Sequence, residues 1–387
     1  MPAIPEVDPR SVDMDADAVA RVVALFEAQH AAGLHPGAQL CVFRYGRCVL
    51  DRHIGVARRD GPVPVSADTL FLVFSTSKPF GAMCIHKLAE EGRLRLEDRV
   101  AEHWPEFARN GKEEATIDHV LTHRVGIPLG PRWFTPDLWA DYDAGARAME
   151  ERVPRWPPGT AVGYHPLNYG WMVREIVRRV SGRKIGAYLR DEILDPLGIH
   201  DAYLGLPPEH DHRVAHHYAM SQPEIAFKPD AAGDAAGDAA LPGIEIFNQP
   251  LVYRCEAPAA NLIATARAIA RFYVMLVNGG EMGGVRVLRA ETIRRATSEA
   301  VFADPDRTLG IPTHWAYGFH LGGGRNNPFG ARSSLATFGH SGQGSSIAWG
   351  DPARGVAYAY STNGVADRIT NTKRQAELAD AVLAACG

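Results

Sequence analysis

The N-terminal part of the chain changes its hydrophobic period after residue 33. Between residues 15 and 33, apolar side chains recur among acidic ones and the stretch ends at Gly33, which is typical of an amphipathic helix. The apolar positions are Val19, Val22, Val23, Leu25 and Phe26. From Gln39 to Val56, β-branched and aromatic residues flank Tyr45-Gly46, so this segment predicts two strands joined by a short turn.

The C-terminal part has a similar pattern. Residues 345–350 and 356–361 predict two strands around a turn at Asp351-Pro352, and a helical pattern follows over 372–385. The middle of the chain instead carries helical patterns between loops rich in proline and glycine. These patterns lie at 78–91, 169–181, 185–194 and 262–278.

The two patterns predict an α/β (α+β) architecture. We expect a discontinuous sheet-containing domain from residues 1–110 and 300–387, and a mainly helical domain from residues 111–299. Within the latter, residues 230–240 read DAAGDAAGDAA, which has almost no core-forming side chains and predicts a mobile loop. The aspartate spacing in this repeat does not fit a known calcium-binding loop.

Composition excludes several classes of protein. The 387 residues are 46% hydrophobic, 22% charged and 9% aromatic, as in ordinary globular proteins. The net charge is −4 and no basic run occurs, so we expect no nucleic-acid partner. The sequence does not indicate an oligomeric state.

The cysteines and the N-terminus bear on the compartment. Five cysteines lie far apart without a C-x-x-C pair, so we expect reduced and mostly buried thiols. The N-terminus lacks the basic and apolar regions of a secretory signal. No segment approaches the roughly 20 apolar residues that span a bilayer, so we expect no membrane span and a cytoplasmic protein.

Ser75 and Lys78 are the strongest candidates for chemistry. An apolar run stops at Ser75, and a helical pattern follows with Pro79 in its first turn. Residues three apart share one helix face, so the hydroxyl of Ser75 would lie beside the amine of Lys78. A desolvated lysine can activate a serine nucleophile. The alternative is that Ser75 or Ser77 caps the helix and Lys78 is solvated.

Several longer segments bear on this choice. The chain contains FSTSKPF around Ser75 and five later segments. These are TIDHVLTHRVGI at 116–127, PPGTAVGYHPLNYGWMVREIVRRVSGRKI at 157–185, DEILDPLGI at 191–199, APAANLIATARAIARFYVMLVNGG at 257–280 and FGHSGQGSSIAWGDPARG at 338–355. Together these segments resemble the serine β-lactamase-like hydrolases, and among them the family VIII carboxylesterases related to class C β-lactamases. The resemblance covers most of residues 37–361. It implies a β-lactamase/transpeptidase-like fold with an antiparallel sheet flanked by terminal helices and an inserted helical region.

The resemblance also implies roles for individual residues. Ser75 matches the nucleophile and Lys78 the motif lysine, while Tyr164 matches the second-motif tyrosine. His340, Ser341 and Gly342 match the third motif. The amides of Ser75 and Gln343 would form the oxyanion hole. Gly342 would let the backbone approach a substrate closely.

An electrostatic argument suggests that Tyr164 could act as a phenolate. Its pKa would have to fall by about three units, or roughly 4 kcal/mol. A unit charge at ~4 Å contributes about 4 kcal/mol at an effective dielectric of ~20, so Lys78 would nearly suffice and a protonated His340 would assist. The alternative is that Tyr164 only packs at the start of the following helix.

Two departures from the family pattern favour esters. Position 166 is proline where lactamases and peptidases usually have the asparagine of Tyr-x-Asn, and the nearest asparagine is Asn168. His340-Ser341-Gly342 replaces the Lys-Thr-Gly of many lactamases. We therefore expect a serine carboxylesterase acting on small-molecule esters through a Ser75 acyl-enzyme. Alternatives are an acyltransferase, a D-amino-acid peptidase, a weak β-lactamase, or a degenerate protein that binds acyl or peptidoglycan ligands.

Other candidate sites have less support, and we expect no cofactor and no metal. His119 and His123 are four apart but lack the glutamate that zinc proteases require. A histidine cluster in a polar stretch is interpreted as a solvated loop; it contains His210, His212, His216 and His217. Gly322–Gly324 lacks a nucleotide-binding pattern. Several aromatic residues could pack in loops or line an acyl pocket: Trp133, Phe134, Trp139, Trp156 and Trp315.

Overall fold

The structure is a computed structural model that describes residues 4–129, 139–220, 243–324 and 327–387. The DAAG repeat at 230–240, Trp133 and Phe134 lie outside the described residues. The strands are β1 (Gly37–Arg44), β2 (Arg47–Arg58), β3 (Val63–Pro64), β4 (Phe71–Leu72), β5 (Ala202–Tyr203), β6 (Tyr218–Ala219), β7 (Ile263–Ala264), β8 (Glu281–Met282), β9 (Val285–Arg286), β10 (Val301–Ala303), β11 (Thr313–Trp315), β12 (His320–Leu321), β13 (Phe338–Ser341), β14 (Ser346–Asp351), β15 (Val356–Thr362) and β16 (Gly364–Val365).

The helices occupy both chain ends and the middle. The α-helices are α1 (Ala16–Ala31), α2 (Lys78–Glu90), α3 (Val100–His103), α4 (Ile117–Leu121), α5 (Tyr142–Glu151), α6 (Asn168–Ser181), α7 (Ile185–Leu189), α8 (Pro250–Tyr253), α9 (Ala266–Val277), α10 (Ala290–Thr297) and α11 (Arg368–Ala384). Short 3₁₀ turns cover Pro9–Val12, Ser75–Ser77, Pro105–Ala108, Pro208–Arg213 and Ile244–Asn248, and a π-helical turn covers Arg190–Leu194.

The main sheet has nine strands in the order β10-β11-β12-β13-β14-β15-β1-β2-β3, and every neighbouring pair is antiparallel. Both hairpins predicted from the sequence are present. β1 and β2 turn at Tyr45-Gly46, where both residues have positive φ, as a tight hairpin turn requires. β1 pairs with β15, from Ala38 opposite Thr362 to Arg44 opposite Val356, so the two chain ends share one sheet.

Alternating side chains give the sheet two buried faces. Leu40 and Val42 of β1 pack in one core cluster with the terminal helices α1 and α11. Cys41 and Phe43 point to the other face, where α9 packs against β1, β14 and β15. The terminal helices therefore flank an antiparallel sheet, as the sequence predicted.

Several predicted helix bounds differ from the structure. The helical pattern at 262–278 begins as a helix only at Ala266, because Ile263–Ala264 is strand β7 and the Thr265 side chain caps the helix. Residues 185–194 divide into α7 and the π-helical turn. The C-terminal helix starts four residues before the predicted residue 372, at Arg368, where Asp367 provides the cap.

Two further observations concern the thiols and the helices. All five cysteines are free, and four of them are buried, as expected. Each helix within residues 4–129, 139–220, 243–324 and 327–387 is too short or too polar to cross a lipid bilayer.

Candidate active site

The site forms where the turn at Ser75–Ser77 contacts β13 of the main sheet and leads into α2. Phe74 precedes the turn with φ 47° and ψ −132°, a left-handed conformation that is rare for a residue other than glycine. Its ring packs 4.9 Å from the rings of His217 and Phe247. This packing holds a strained backbone in place and leaves Ser75 half-buried at the start of the turn.

Ser77 has a structural role in the same turn. Its hydroxyl accepts a hydrogen bond from the Leu262 amide over 2.9 Å and donates to the carbonyl of Phe74. The side chain of Ser77 does not cap α2, so the capping alternative is wrong for this residue. Both hydrogen-bonding capacities of Ser77 are used, and it is fully buried.

Lys78 is fully buried beside Ser75. Its Nζ lies 3.1 Å from Ser75 Oγ, 2.8 Å from the Pro166 carbonyl oxygen and 3.2 Å from the Ala259 carbonyl oxygen. Burial lowers the pKa of Lys78 well below its usual value of 10.5. In its neutral form the amine would donate its two N–H groups to the two carbonyl oxygens and turn its lone pair toward the hydroxyl of Ser75.

Tyr164 approaches Ser75 from the segment that precedes α6. Its hydroxyl donates to Ser75 Oγ over 2.8 Å. The ring lies parallel to that of Trp315, at 5.5 Å and 2°, and the His123 ring meets it edge-on at 4.9 Å. Lys78 Nζ lies 4.7 Å from the centre of the Tyr164 ring.

The phenolate hypothesis for Tyr164 is not supported. Burial raises the pKa of Tyr164, and this effect outweighs the hydrogen bond to Ser75 that acts in the opposite direction. The expectation of a phenolate relied on a fully charged Lys78, but burial lowers the pKa of that amine. Tyr164 is therefore a protonated phenol in this site.

His340 lies on β13 with its ring 5.8 Å from that of Tyr164. Its Nδ1 lies 2.8 Å from the Ser341 carbonyl oxygen, which can only accept, so this nitrogen carries the proton. Its buried Nε2 has no partner among the described residues. Burial lowers the pKa of His340 well below 6.5, so the expected imidazolium support for Tyr164 is absent.

After Ser341, the last residue of β13, the chain forms a loop against the turn that carries Ser75. A Cβ added to Gly342 would lie 2.3 Å from the Val73 carbonyl oxygen and 2.3 Å from Ser346 Oγ. The glycine is thus required for close approach to the segment preceding the nucleophile. Ser341 and Gln343 on either side of it are half-buried.

Two residues of this region were missed by the sequence analysis. Asp306 accepts hydrogen bonds from the Tyr164 amide at 3.0 and 3.1 Å, across 142 residues of sequence. Arg374 on α11 donates to the Gly344 carbonyl over 2.5 Å and to the Gly364 carbonyl over 2.8 Å, so it clamps the loop next to Gln343. Neither lies in a recognisable motif, and only the fold brings them to the site.

Asn168 does not replace the missing motif asparagine. It is fully buried, and its Nδ2 donates to the carbonyl oxygens of Ile127 and Leu129 over 2.7 and 2.8 Å. Its amide therefore holds the loop after α4. The proline at position 166 contributes through its backbone carbonyl, which contacts Lys78.

Three of the remaining candidate histidines, His119, His123 and His217, have structural contacts. Within the described part of the chain, no three metal-ligating side chains are grouped. His119 completes the cap of α4, and His123 Nδ1 accepts from the His165 amide over 3.2 Å. His217 is buried beside Phe74, with its Nε2 3.0 Å from the Leu72 carbonyl oxygen. The interpretation of a solvated loop is therefore wrong for His217.

The described tryptophans have different neighbours. Trp315 stacks on Tyr164 as noted above. Trp139 meets the ring of Phe247 at 5.7 Å, and Arg307 lies 5.2 Å over the ring of Trp156. Of the three, Trp315 touches the catalytic candidates directly.

Comparisons with known proteins cover both the sheet and the site. The sequence model of the Beta-lactamase family matches residues 22–381. "Esterase/beta-lactamase LipL" of Mycobacterium tuberculosis is 35% identical over 360 residues, which are 87% of this chain and 79% of that protein. The crystal structure of a family VIII carboxylesterase is 30% identical with a TM-score of 0.82, and that of a penicillin-binding protein homologue from Caulobacter crescentus is 34% identical with a TM-score of 0.81. Each alignment covers 95% of this chain and 98% of the other.

Proposed function

Because the chain belongs to the Beta-lactamase family, we propose that it hydrolyses carboxylic esters through an acyl-enzyme on Ser75. One observation carries the proposal. Ser75 Oγ lies within hydrogen-bond distance of both Lys78 Nζ, at 3.1 Å, and the Tyr164 hydroxyl, at 2.8 Å. A nucleophile with a neutral amine on one side and a protonated phenol on the other has both a base and an acid in reach.

Acylation follows from these protonation states. Lys78 accepts the hydroxyl proton as Ser75 Oγ attacks the ester carbonyl carbon. When the tetrahedral intermediate collapses, Tyr164 gives its proton to the departing alkoxide and regains one from Lys78. The alcohol leaves, and Ser75 carries the acyl group. In deacylation, water attacks the acyl carbon and gives a proton to Lys78. When the bond to Ser75 Oγ breaks, Tyr164 gives its proton to that oxygen and regains one from Lys78, so the acid leaves and the hydroxyl of Ser75 is restored.

The negative charge of the intermediate needs donors close to Ser75. We assign this role to the backbone amides of Ser75 and Gln343. The contact of Gly342 with Val73 supports the assignment, since it sets the loop of Gln343 directly against the turn that carries Ser75. The clamp from Arg374 to the Gly344 carbonyl oxygen stiffens the same loop.

An ester fits this site better than a β-lactam or a peptide. The third motif provides a neutral His340 where many lactamases have a lysine, so it offers no permanent charge to a substrate carboxylate. The Nδ2 group of Asn168 donates to two backbone carbonyls, so it is not available to bind an amide substrate. The Mycobacterium tuberculosis relative is named both esterase and β-lactamase, and Esterase EstB of Burkholderia gladioli is 28% identical over 244 residues. The proposed steps use protein groups alone, without metal or cofactor.

Covalent labelling combined with a substrate panel tests the proposal. A fluorophosphonate should label Ser75, identified by peptide mass spectrometry, and Ser75→Ala should not be labelled. Nitrophenyl esters of short and long acyl chains should be cleaved much faster than nitrocefin. Labelling elsewhere, or no labelling, would reject the Ser75 acyl-enzyme. Faster turnover of nitrocefin than of every ester would instead identify a β-lactamase with the same nucleophile.

A further inference from the structure

Asp306 is a fully buried acid one loop away from the catalytic candidates. Its Oδ1 accepts from the amides of Tyr164 at 3.0 Å and of Thr308 and Leu309 at 2.9 Å each. Its Oδ2 accepts from the Tyr164 amide at 3.1 Å and from Trp315 Nε1 at 3.1 Å. A carboxylate offers about four lone-pair sites, so these donors saturate it.

The contacts of Asp306 reach Tyr164 by two routes. The first is the backbone: Asp306 binds the Tyr164 amide, and the Arg307 amide donates to the Val162 carbonyl over 3.0 Å. The second is the ring. Trp315, held by its indole N–H, lies parallel to the Tyr164 ring at 5.5 Å and 2°. Both the main chain and the side-chain plane of Tyr164 are therefore fixed by one carboxylate.

We propose that Asp306 is a positioning residue that keeps the Tyr164 hydroxyl on Ser75, an inference that rests on the function proposed above. The tyrosine hydroxyl is at the far end of a side chain with two torsions, so a small change at the backbone or in the ring plane displaces it. Displacements of about 1 Å in catalytic groups can cost on the order of a hundredfold in rate. Hydrogen bonds to an ionised acceptor are also about twice as strong as neutral ones.

The negative charge of Asp306 also acts on the protonation state of Tyr164. It raises the pKa of the phenol, in the same direction as burial. This effect suits a group that must enter the reaction with its proton. Asp306 therefore supports both the position and the protonation that the acid step requires.

Replacing Asp306 by asparagine tests the positioning role. Asparagine keeps the size of the side chain but has one acceptor oxygen, and its NH₂ group would face N–H donors. Asp306→Asn should then lower kcat by about tenfold to a hundredfold, while KM for a nitrophenyl ester changes by less than about threefold. Rates are divided by the concentration of sites titrated with fluorophosphonate, so that unfolded protein does not count.

A double-mutant cycle separates positioning from general support of the fold. If Asp306 acts through the Tyr164 hydroxyl, Asp306→Asn should have little further effect on kcat in the Tyr164→Phe background. Trp315→Phe, which removes one donor to Asp306 and narrows the stacked ring, should give the same pattern and serves if Asp306→Asn folds poorly. Asp351→Asn is the matched control, because Asp351 is fully buried and binds Thr337 and Arg354 away from the site.

The outcomes separate the positioning role of Asp306 from the acid role of Tyr164. Equal losses of kcat from Asp306→Asn with and without the Tyr164 hydroxyl would overturn the positioning role, and so would an unchanged kcat in Asp306→Asn. A loss in Asp351→Asn as large as that in Asp306→Asn would also overturn it. Wild-type turnover in Tyr164→Phe would instead reject the acid role of Tyr164 in the proposed function.

Discussion

The carbonyl oxygen of Pro166 lies 2.8 Å from Lys78 Nζ. Sequence position 166 is the one at which the family pattern leads one to expect an asparagine. A carbonyl is a dipole and not an anion, so it stabilises a positive charge on the amine less than a carboxylate would. Within the described residues Lys78 forms no ion pair, and burial lowers its pKa. The backbone of the second motif thus provides a hydrogen-bond acceptor for Lys78 without the opposite charge that would restore its pKa.

Lys78→Met should therefore abolish turnover and stabilise the protein. The folded-state pKa of Lys78 lies below 10.5, so between that pKa and 10.5 the unfolded chain binds a proton that the folded chain does not. The penalty is absent above pH 10.5 and grows by about 1.4 kcal/mol per pH unit as pH falls toward the folded pKa. Urea denaturation from pH 7 to 10.5 should show the variant gaining stability over wild type as pH falls.

Lys112 provides a matched control for this experiment. It is also buried, and it donates to the carbonyl oxygens of Arg109 over 2.6 Å and Glu150 over 2.9 Å. Burial lowers its pKa to about 8, so the penalty should grow only between pH 10.5 and about 8. Lys112→Met should keep the kcat of wild type. A stability difference for Lys78→Met that does not change with pH would contradict the neutral amine.

Ser75→Ala and Ser77→Ala should differ in kind. Ser75→Ala removes the nucleophile and should leave no turnover, with thermal stability close to that of wild type. Ser77→Ala leaves the buried Leu262 amide without its acceptor, which costs about 1–3 kcal/mol. We expect it to melt at lower temperature but to retain substantial kcat in the folded fraction. The reverse pattern, an active Ser75→Ala and an inactive Ser77→Ala, would show that the nucleophile is misassigned.

Tyr164→Phe should lower kcat by at least about a hundredfold, the lower range for a positioned acid or base. The phenyl ring keeps the stacking on Trp315, and the substitution removes the hydroxyl that binds Ser75. Stopped-flow measurement of acylation with a nitrophenyl ester should show that the loss lies in this step. A full-rate acylation burst would mean that Lys78 alone transfers the proton to the leaving group.

Local patterns in the sequence predicted the elements that carry the nucleophile and the centre of the sheet. The three-residue spacing of Ser75 and Lys78 across the start of a helix was enough to place the hydroxyl beside the amine. The Tyr45-Gly46 turn predicted the first hairpin in the same way. In both cases the interacting groups are close in sequence, so the geometry of one element determines their distance.

Contacts between distant segments could not be predicted in this way. The Asp306 contact with Tyr164 spans 142 residues, and the Pro166 contact with Lys78 uses a backbone oxygen that every residue type has. The prediction of a phenolate at Tyr164 was wrong for a related reason. It treated Lys78 as an amine of ordinary pKa, but the complete burial of the side chain, which only the packed structure reveals, lowers that pKa.

Gly342→Ala should damage both stability and activity. The added methyl group would overlap the Val73 carbonyl oxygen and the Ser346 hydroxyl, each at 2.3 Å, so the loop has to move away from the nucleophile. We expect a loss of about 1–3 kcal/mol in stability and a lower kcat, because the amide of Gln343 moves with the loop. Gly324→Ala, where a Cβ meets nothing within 4 Å, is the control and should match wild type. Unchanged kcat in Gly342→Ala would argue against an oxyanion role for this loop.

His340→Gln should leave the shape of the pH profile unchanged while lowering its height. Burial lowers the pKa of His340 well below 6.5, so the imidazole stays neutral and its protonation does not contribute a step across the working range of the enzyme. The acid limb of kcat/KM then reports deprotonation of Lys78, and activity rises with pH through the lowered pKa of that amine. Glutamine has a similar volume, but it disturbs the hydrogen bond from Nδ1 to the Ser341 carbonyl that orders the end of β13.

Measurements of kcat/KM from pH 5 to 10 for wild type and His340→Gln test this prediction. An acid limb that moves by a full pH unit in His340→Gln would show that the imidazole titrates with the catalytic pair, and that His340 is charged in the working enzyme after all.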